Sequence, residues 1–261
     1  MAAQAPGPAR RDGGTPPRLA LHDVHVRFAG GVAALAGFTL QAGEGDFVAL
    51  LGPSGCGKST VLRLLAGLQA PSQGTVSSPA VAGLADTAFV FQEPTLMPWA
   101  SVFDNVWLPL RLAGQSRAQA AGRVHELLRA VGLADFGHAY PAQLSGGMKM
   151  RASIARALVT RPAALLMDEP FAALDDLTRQ KLHADLLSWW QRTRPATLFV
   201  THDVAEAVML SHRVVVMTPR PGRVAAQFVV DAPHPRPAGF RHDARFHALC
   251  RQVAEALERS P

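Results

Sequence analysis

Three shortages in the sequence limit the kinds of protein that it can encode. Cysteine occurs only at Cys56 and Cys250 among 261 residues, which excludes a disulfide framework and favours a reducing compartment. No apolar run approaches the ~18 residues that a membrane-spanning helix requires, and the longest candidates, such as 32–40, are half that length. The first residues include basic ones but no apolar segment of the kind found in secretory signals. We therefore expect a cytosolic protein.

Tyrosine and lysine are also scarce, although the chain is basic. Its net charge is +6 and its isoelectric point is about 10.3, yet it has one tyrosine and its arginines are spread along the chain. Nucleic-acid-binding proteins usually cluster basic residues and interleave them with aromatic ones, so we discount that class. A cytosolic protein near anionic lipid headgroups fits the composition better. Only three of the 26 basic residues are lysine, so a lysine inside a motif is informative.

Strand-like apolar stretches alternate with helical patterns along the chain, which is typical of an α/β fold with a largely parallel sheet. The first three stretches follow one another too closely for crossover helices, so we expect an antiparallel β portion to open the fold; they lie at 19–28, 35–40 and 46–51. The later strands are predicted at 87–92, 163–169, 196–202 and 213–218, and two of the helices at 58–68 and 175–192.

Between about 96 and 158 the pattern becomes helical, and we interpret this stretch as a helical subdomain inserted into the α/β core. One amphipathic helix follows a cap at Ser116, with apolar residues spaced along one face at Val124, Leu127, Leu128 and Val131. The main domain is placed at 19–235 and a terminal helix within 236–261. Pro, Gly and Ala dominate 1–18, which predicts a disordered tail.

A glycine-rich loop, GPSGCGKST at 52–60, fits the phosphate-binding pattern G-x-x-x-x-G-K-[ST], and it follows an apolar strand and opens a helix. Its glycines let backbone N–H groups surround the β- and γ-phosphates, and the helix N-terminus adds its dipole. Lys58 supplies a charge to the phosphate oxygens and Ser59 a hydroxyl to Mg²⁺. Cys56 has no chemical duty, although its thiol is a candidate for alkylation. The predicted nucleotide contacts are Gly52, Pro53, Ser54, Gly55, Cys56, Gly57, Lys58, Ser59 and Thr60.

Two carboxylates end a predicted strand in LLMDEP at 165–170. Ligands of open parallel sheets bind at the carboxyl ends of the strands, so Asp168 is placed to hold Mg²⁺ through water. Glu169 is placed to orient or deprotonate the attacking water. The stretch ATLFVTHD repeats this layout, and His202 at its strand end could contact the γ-phosphate. Each would be an ordinary strand end in isolation; together with the phosphate loop, the functional interpretation is the better one.

A second glycine-rich helix start, LSGGM, lies at 144–148. Ser145 can cap the helix, while Gly146 and Gly147 permit close approach of a phosphate, which the helix dipole favours. Because the loop at 52–60 already encloses this molecule's own nucleotide, we expect the second start to cover the γ-phosphate bound by another subunit. A two-fold homodimer would then bury two ATP molecules between facing surfaces.

In combination these motifs resemble the ATP-binding subunit of an ATP-binding cassette (ABC) transporter over about residues 19–230. The motifs that carry the resemblance are GPSGCGKST, the Gln92 loop, LSGGM, LLMDEP, the AALD turn ending at Asp175, and His202. The resemblance implies a P-loop NTPase core of mostly parallel sheet, with an antiparallel β subdomain and an inserted helical subdomain. It implies that Phe28 stacks on adenine and that Asp175 crosses the dimer interface. Gln92 would reach Mg²⁺ and the water while sensing the membrane partner.

Within that family, FQEPTLMPWASVFDNV (91–106) and EPFAALDDLTR (169–179) resemble importers of nitrate, alkanesulfonates and taurine, and some relatives import thiamine-precursor pyrimidines. The remainder after the core is shorter than the regulatory domain of sugar-importer ATPases, so we expect a member of the compact group. The chain departs from the family's usual residues at Met150, where Gln is frequent, at Ala172, which is sometimes Ser, and at Phe28, which is more often Tyr. None of these changes removes a group that touches phosphate or metal, so hydrolysis is expected to survive.

The resemblance also implies cofactors, partners and a location for the chain. It predicts ATP and Mg²⁺ as cofactors, a homodimer, permease subunits contacted near Gln92–Asn105, a periplasmic or extracellular solute-binding protein, and a place on the inner face of the cell membrane. Two alternatives stay open. A soluble ABC ATPase of DNA repair or translation usually has long coiled-coil insertions or a second cassette, and this chain shows neither. A small-molecule kinase would leave LSGGM unexplained. The solute cannot be read from a subunit that never touches it.

Overall fold

The computed structural model describes residues 17–84, 86–172, 174–234, 236–237 and 239–259. The tail predicted at 1–18 lies, apart from its last two residues, outside the described residues. The strands are β1 (Leu19–Arg27), β2 (Ala33–Ala42), β3 (Phe47–Leu51), β4 (Gln73–Ser77), β5 (Thr87–Val90), β6 (Ala164–Asp168), β7 (Ala196–Val200), β8 (Arg213–Met217) and β9 (Val224–Val229). The α-helices are α1 (Lys58–Leu65), α2 (Val102–Leu112), α3 (Arg117–Ala130), α4 (Gly146–Leu158), α5 (Asp176–Thr193), α6 (Val204–Leu210) and α7 (Ala244–Glu258).

The larger sheet has the strand order β5-β6-β7-β3-β8-β9. Its strands are parallel from β5 to β8, and β9 runs antiparallel to β8 at one edge. All five residues of β3 are buried, because other elements cover both faces of the sheet. Alternate side chains therefore enter two different cores: Phe47, Ala49 and Leu51 enter one, and Val48 and Leu50 enter the other.

The two cores are formed by different elements. The core on one face contains α1 and the smaller sheet, with the strand order β2-β1-β4, and it buries residues such as Leu62 and Phe38. The core on the other face contains the remaining helices and buries Trp190, Phe199 and Phe246. The predicted α/β fold with an antiparallel β portion is confirmed.

One strand was assigned to the wrong sheet. The stretch predicted at 46–51 forms β3, which pairs in parallel with β7 and β8 in the larger sheet. The third strand of the antiparallel sheet is β4, which pairs with β1 and which the sequence pattern did not predict. Short spacing excludes a crossover helix between two strands, but it does not exclude a change of sheet. The continuous apolar run of β3 was the sign of a strand buried on both faces.

The region from 96 to 158 contains α2, α3 and α4 together with short 3₁₀ helices at Ala134–Phe136 and Pro141–Gln143. The predicted cap at Ser116 is confirmed, because its hydroxyl accepts a hydrogen bond from the backbone N–H of Gln119. The side-chain oxygen of Gln119 in turn accepts one from the backbone N–H of Ser116. The predicted terminal helix corresponds to α7, which buries Phe246 and Val253. No helix in the described ranges combines the length and apolarity needed to cross a bilayer.

Candidate nucleotide-binding site

The carboxyl ends of the parallel strands converge on the 52–57 loop between β3 and α1. Gly57 caps α1 with φ 111°, in the left-handed region that other residues avoid. A Cβ at this position would lie 2.9 Å from Leu35 Cδ2 and 3.1 Å from the carbonyl oxygen of Ala34, because β2 packs directly under the loop. Neither a side-chain cap nor an acidic residue occupies the first turn of α1. The start of this helix is therefore left open to an external anion.

The side chain of Lys58 is buried and hydrogen-bonded to the start of this loop. It is 8% exposed, and its Nζ donates hydrogen bonds to the carbonyl oxygens of Gly52, at 2.8 Å, and Pro53, at 3.0 Å. Carbonyl oxygens do not neutralise an ammonium group, and no ion pair among the described residues includes Lys58. A buried cation at a helix start, with no ion-pair partner among the described residues, suits the loop to bind phosphate.

Asp168 ends β6 beside the first turn of α1. Burial raises the pKa of its carboxyl group; the hydrogen bond with Ser59 and the charge of Lys58 oppose that rise, and the charge of Glu169 adds to it. The carboxylate and the hydroxyl are hard oxygen donors of the kind that Mg²⁺ prefers. Burial therefore disfavours the ionised form of this carboxyl group. These residues therefore fit the predicted metal.

Glu169 and His202 form a pair at the same edge of the sheet. Nδ1 of His202 lies 3.1 Å from Oε2 of Glu169, and the side chain of Glu169 is 20% exposed while that of His202 is 65% exposed. Glu169 has φ 45°, unusual for a residue with a side chain, and its backbone N–H donates to the carbonyl oxygen of Val200 at 3.0 Å. Strained backbone of this kind is common at functional sites. It turns the carboxylate out of the strand and toward the imidazole.

A buried polar network supports the loop that carries His202. Thr201 donates its hydroxyl to Glu206, whose other oxygen lies 2.9 Å from Nε2 of His183 in α5. The backbone N–H of Asp203 donates to the hydroxyl of Thr201, and Asp203 in turn caps α6. Both His183 and Glu206 are almost fully buried. The network ties α5 and α6 to the residue next to His202, so the imidazole stands on a fixed backbone.

The 52–60 loop, apart from Pro53 and Cys56, lines one open cleft of about 480 Å³, and Asp168 is not among the residues that line it. The cleft brings the phosphate loop together with Gln92, Glu169 and His202, as the sequence predicted, and it also includes Arg220, which the sequence analysis did not single out. The signal was available, since the Pro- and Gly-rich TPRPGR follows β8 at the same edge of the sheet. The lining residues are Gly52, Ser54, Gly55, Gly57, Lys58, Ser59, Thr60, Gln92, Glu169, His202 and Arg220.

Other predicted site residues lie away from that lining. The Ser145 hydroxyl caps α4 by accepting from the backbone N–H of Met148, and Ser145 and Gly146 are exposed. Asp175 caps α5, and the backbone N–H of Thr178 lowers the pKa of its carboxyl group. Phe28 is 43% exposed just after β1. None of Phe28, Ser145, Gly147 or Asp175 is among the residues that line the cleft of their own chain.

Cys56 corrects one expectation. Its side chain is 1% exposed and packs in the core beneath the loop, and burial raises the pKa of its thiol. A buried thiol with a raised pKa is a poor nucleophile. The thiol is therefore not a ready target for alkylation, and only the backbone of Cys56 is left to take part in the loop.

Comparison with known proteins agrees with this geometry. Residues 35–172 match the sequence model of the ABC transporter family. The taurine import ATP-binding protein of Rhizobium johnstonii is 49% identical over 209 residues, 79% of this chain and 80% of that protein. The nitrate import ATP-binding protein of a Synechocystis species is 44% identical over 216 residues, 82% of this chain and 81% of that protein. The chain belongs to the ABC transporter family.

A solved structure shows the same architecture. It is a dimer of an ATP-binding cassette in a post-hydrolysis state, bound to ADP and Pi. The TM-score is 0.74 at 30% sequence identity, over 82% of this chain and all of the other. The predicted class of protein, an ABC-type ATPase cassette that binds ATP, is thus confirmed.

Proposed function

We propose that this chain is the ATP-hydrolysing subunit that energises an ABC importer of a small solute. The observation that carries the proposal is the cleft itself, in which a buried lysine and a glutamate–histidine pair meet around one phosphate-binding loop, with the carboxylate of Asp168 hydrogen-bonded to Ser59 beside it. The relatives named for taurine import and nitrate import support a small solute. An importer of thiamine-precursor pyrimidines remains the other candidate.

In and around the cleft, each predicted group has a task that its chemistry suits. Backbone N–H groups of 52–60 and the ammonium of Lys58 would bind the phosphates, and exposed Phe28 would stack on the adenine. Ser59, Asp168 and Gln92 would hold Mg²⁺, which offsets phosphate charge when bound. Glu169 would take a proton from the attacking water, and His202 would donate a hydrogen bond to the γ-phosphate. The contact between Glu169 and His202 keeps both groups oriented before nucleotide arrives.

The second glycine-rich start supports a two-site dimer. Ser145, Gly146 and Gly147 are placed at the open start of α4, away from the cleft of the same chain. In a homodimer they would cover the γ-phosphate held by the partner, and Asp175 would lie at the interface. Binding of ATP and closure of the dimer would then be thermodynamically linked. The dimeric cassette with 30% identity supports this arrangement.

A surface beside the cleft suits the permease. Trp99 is 77% exposed and Phe91 38% exposed on the loop that begins near Gln92. Buried Asn105 fixes this loop through its side-chain amide, which exchanges hydrogen bonds with the backbone N–H and carbonyl of Met97. Exposed apolar side chains on an ordered loop are suited to docking a partner. We assign this surface to permease subunits at the inner face of the cell membrane, in a complex that includes a solute-binding protein.

The test replaces the proposed base. Glu169→Gln should retain ATP binding but lower turnover by about 100-fold or more, the usual contribution of a general base, and should trap an ATP-bound dimer. Phosphate release and light scattering with ATP measure these two effects. The matched control is Glu255→Gln, which changes an exposed glutamate of α7 paired with Arg259. Wild-type turnover in the Glu169 variant would refute the assigned role.

A second measurement separates transport from soluble ABC functions. The chain, expressed with the membrane protein encoded beside it, should co-purify with that protein, and the solute should stimulate hydrolysis in the reconstituted complex. Loss of co-purification on replacing Trp99 by Asp, with hydrolysis by the isolated chain unchanged, would support the docking surface. Active chain that never associates with a membrane subunit would favour the soluble alternative.

A further inference from the structure

The loop between β8 and β9, residues 218–223, lies directly against the phosphate-binding loop. The backbone N–H of Gly222 donates to the carbonyl of Ala34 at 2.8 Å, and Ala36 donates to the carbonyl of Gly222 at 3.2 Å. A Cβ at Gly222 would lie 2.2 Å from the carbonyl oxygen of Cys56, so only glycine allows this approach. The 218–223 loop is therefore fixed between β2 and the phosphate loop.

Arg220 extends from this loop to the phosphate loop. Its Nε and Nη2 donate to the carbonyl oxygen of Gly55, at 2.9 Å and 2.7 Å. Gly55 has φ 75°, and a Cβ there would lie 3.1 Å from Nη2 of Arg220, so the glycine makes room for the guanidinium. Two hydrogen bonds between Thr218 and Arg223 close the 218–223 loop. The backbone N–H of Thr218 donates to the carbonyl of Arg223, and the backbone N–H of Arg223 donates to the hydroxyl of Thr218. The 218–223 loop and the phosphate loop are thus both fixed where Arg220 contacts Gly55.

The charge of Arg220 is not neutralised. The ion pairs found in the described ranges of the chain do not include it. Its hydrogen bonds there use Nε and Nη2, and none uses Nη1. Arg220 is exposed and lines the cleft together with Lys58 and Gln92. A planar guanidinium with unused donors at the mouth of a phosphate site is suited to bind a phosphate oxygen.

We propose that Arg220 is a further nucleotide-binding residue, which holds the Gly55 carbonyl with one edge of its guanidinium and binds a phosphate group of the nucleotide with the other. This inference rests on the nucleotide site proposed above. The contact with Gly55 has a second effect, because it turns that peptide's carbonyl outward and so fixes the direction of neighbouring N–H groups. Arg220 thereby both binds the nucleotide and positions the loop that binds it.

The experiment compares three variants of the full chain by equilibrium binding of ATP and ADP. Arg220→Ala should weaken both affinities about tenfold or more, the usual loss for a charge-assisted hydrogen bond. Arg220→Lys should recover part of the loss, because it restores the charge but not the two-donor contact with Gly55. Arg223→Ala is the matched control, since Arg223 is an exposed arginine of the same loop outside the cleft lining, and it should bind like wild type.

The dependence on salt separates binding from a structural role. If Arg220 touches phosphate, the affinity of Arg220→Ala should fall less steeply with ionic strength than that of wild type, while Arg223→Ala keeps the wild-type slope. Wild-type affinity and slope in both Arg220 variants would overturn the inference and leave the proposed function intact. Failure of wild type itself to bind ATP would instead overturn the proposed function. Loss of affinity with an unchanged slope would reject phosphate contact by Arg220.

Discussion

The two glycine-rich helix starts of this molecule, at α1 and α4, look alike in sequence but differ in how their first turns are capped and packed. At α1, Gly57 provides no side-chain cap, and buried Lys58 closes the loop. At α4, Ser145 caps its own helix, and a Cβ on Gly146 would meet nothing within 4 Å. At the first start, the glycine loop and the lysine come from one short segment of the chain. The second lies open, and in the proposed dimer the partner's nucleotide would cover it.

The largest effect should come from removing the charge at the first start. Lys58→Ala is expected to weaken ATP binding by about 100-fold, because charge-assisted hydrogen bonds to phosphate are lost. Lys149→Ala, in the first turns of α4, is the matched control and should leave binding by the monomer unchanged. Equilibrium binding of labelled ATP measures both. Equal losses in the two variants would contradict the difference between the helix starts.

A bulky charge at the second start should separate binding from assembly. Ser145→Arg is expected to change ATP affinity of the monomer by less than about twofold, while the ATP-dependent dimer is lost because the side chain fills the interface. Light scattering in the Glu169→Gln background gives the dimer population directly. Ser188→Arg, on α5, serves as a control for the added charge. A dimer that forms normally with Arg at 145 would remove α4 from the interface.

Paired alanine substitutions compare the backbone strain at the two helix starts. Gly57→Ala should destabilise the fold by about 1–3 kcal/mol, because alanine is strained at φ 111° and would press on Ala34 and Leu35. Gly146→Ala should be neutral or stabilising by up to about 1 kcal/mol, since the site is helical and open. Urea unfolding of the nucleotide-free chain measures the two. Similar losses in both variants would mean that α4 is as constrained as α1.

The smallest effect should come from the carboxylate that faces the first start. Burial raises the pKa of Asp168, so the folded chain binds this proton more tightly than the unfolded chain. The protonated group therefore favours folding at low pH, and that contribution is lost as pH rises from the unfolded pKa through the folded one. At neutral pH, Asp168→Asn should raise the Tm of the nucleotide-free protein by about 2 °C.

The pH series tests the sign of that effect. The gain in Tm should shrink toward acidic pH, where Asp168 is protonated in both states, and Mg²⁺ should no longer strengthen ATP binding by the variant. Asp231→Asn, an exposed aspartate, should show neither effect. A lower Tm for Asp168→Asn at neutral pH would mean that the ionised carboxylate is well solvated by its neighbours.

Much of this site was predictable because its parts are local in the sequence. Strand, glycine loop and helix follow one another from 47 to 65, so the position of Lys58 depends on a short segment. The caps at Ser116 and Ser145 are likewise contacts over three residues. Asp168 and His202 were placed by a general rule, that parallel strands bring their carboxyl ends to one edge.

The features that the sequence did not predict depend on contacts between distant segments. The sheet of β3 is decided by pairing with β7 and β8, well over a hundred residues along the chain, rather than by its distance from β2. Strand β4 is polar and mostly exposed, so it lacks the alternation that predicts a strand. Arg220 reaches Gly55 across a separation of 165 residues; the local pattern TPRPGR indicates a loop at the edge of the sheet, but it does not indicate that contact.

The amino-acid sequence by itself determined the phosphate loop, the two helix starts and the chemistry of each strand end, because these depend on residue type and short spacing. Only the tertiary structure decided that Lys58 is buried with no ion pair among the described residues, that Glu169 lies against His202, and that Cys56 points inward. The physical reason is that burial, solvation and hydrogen-bond direction depend on which distant segments pack together, and the folded chain sets these together.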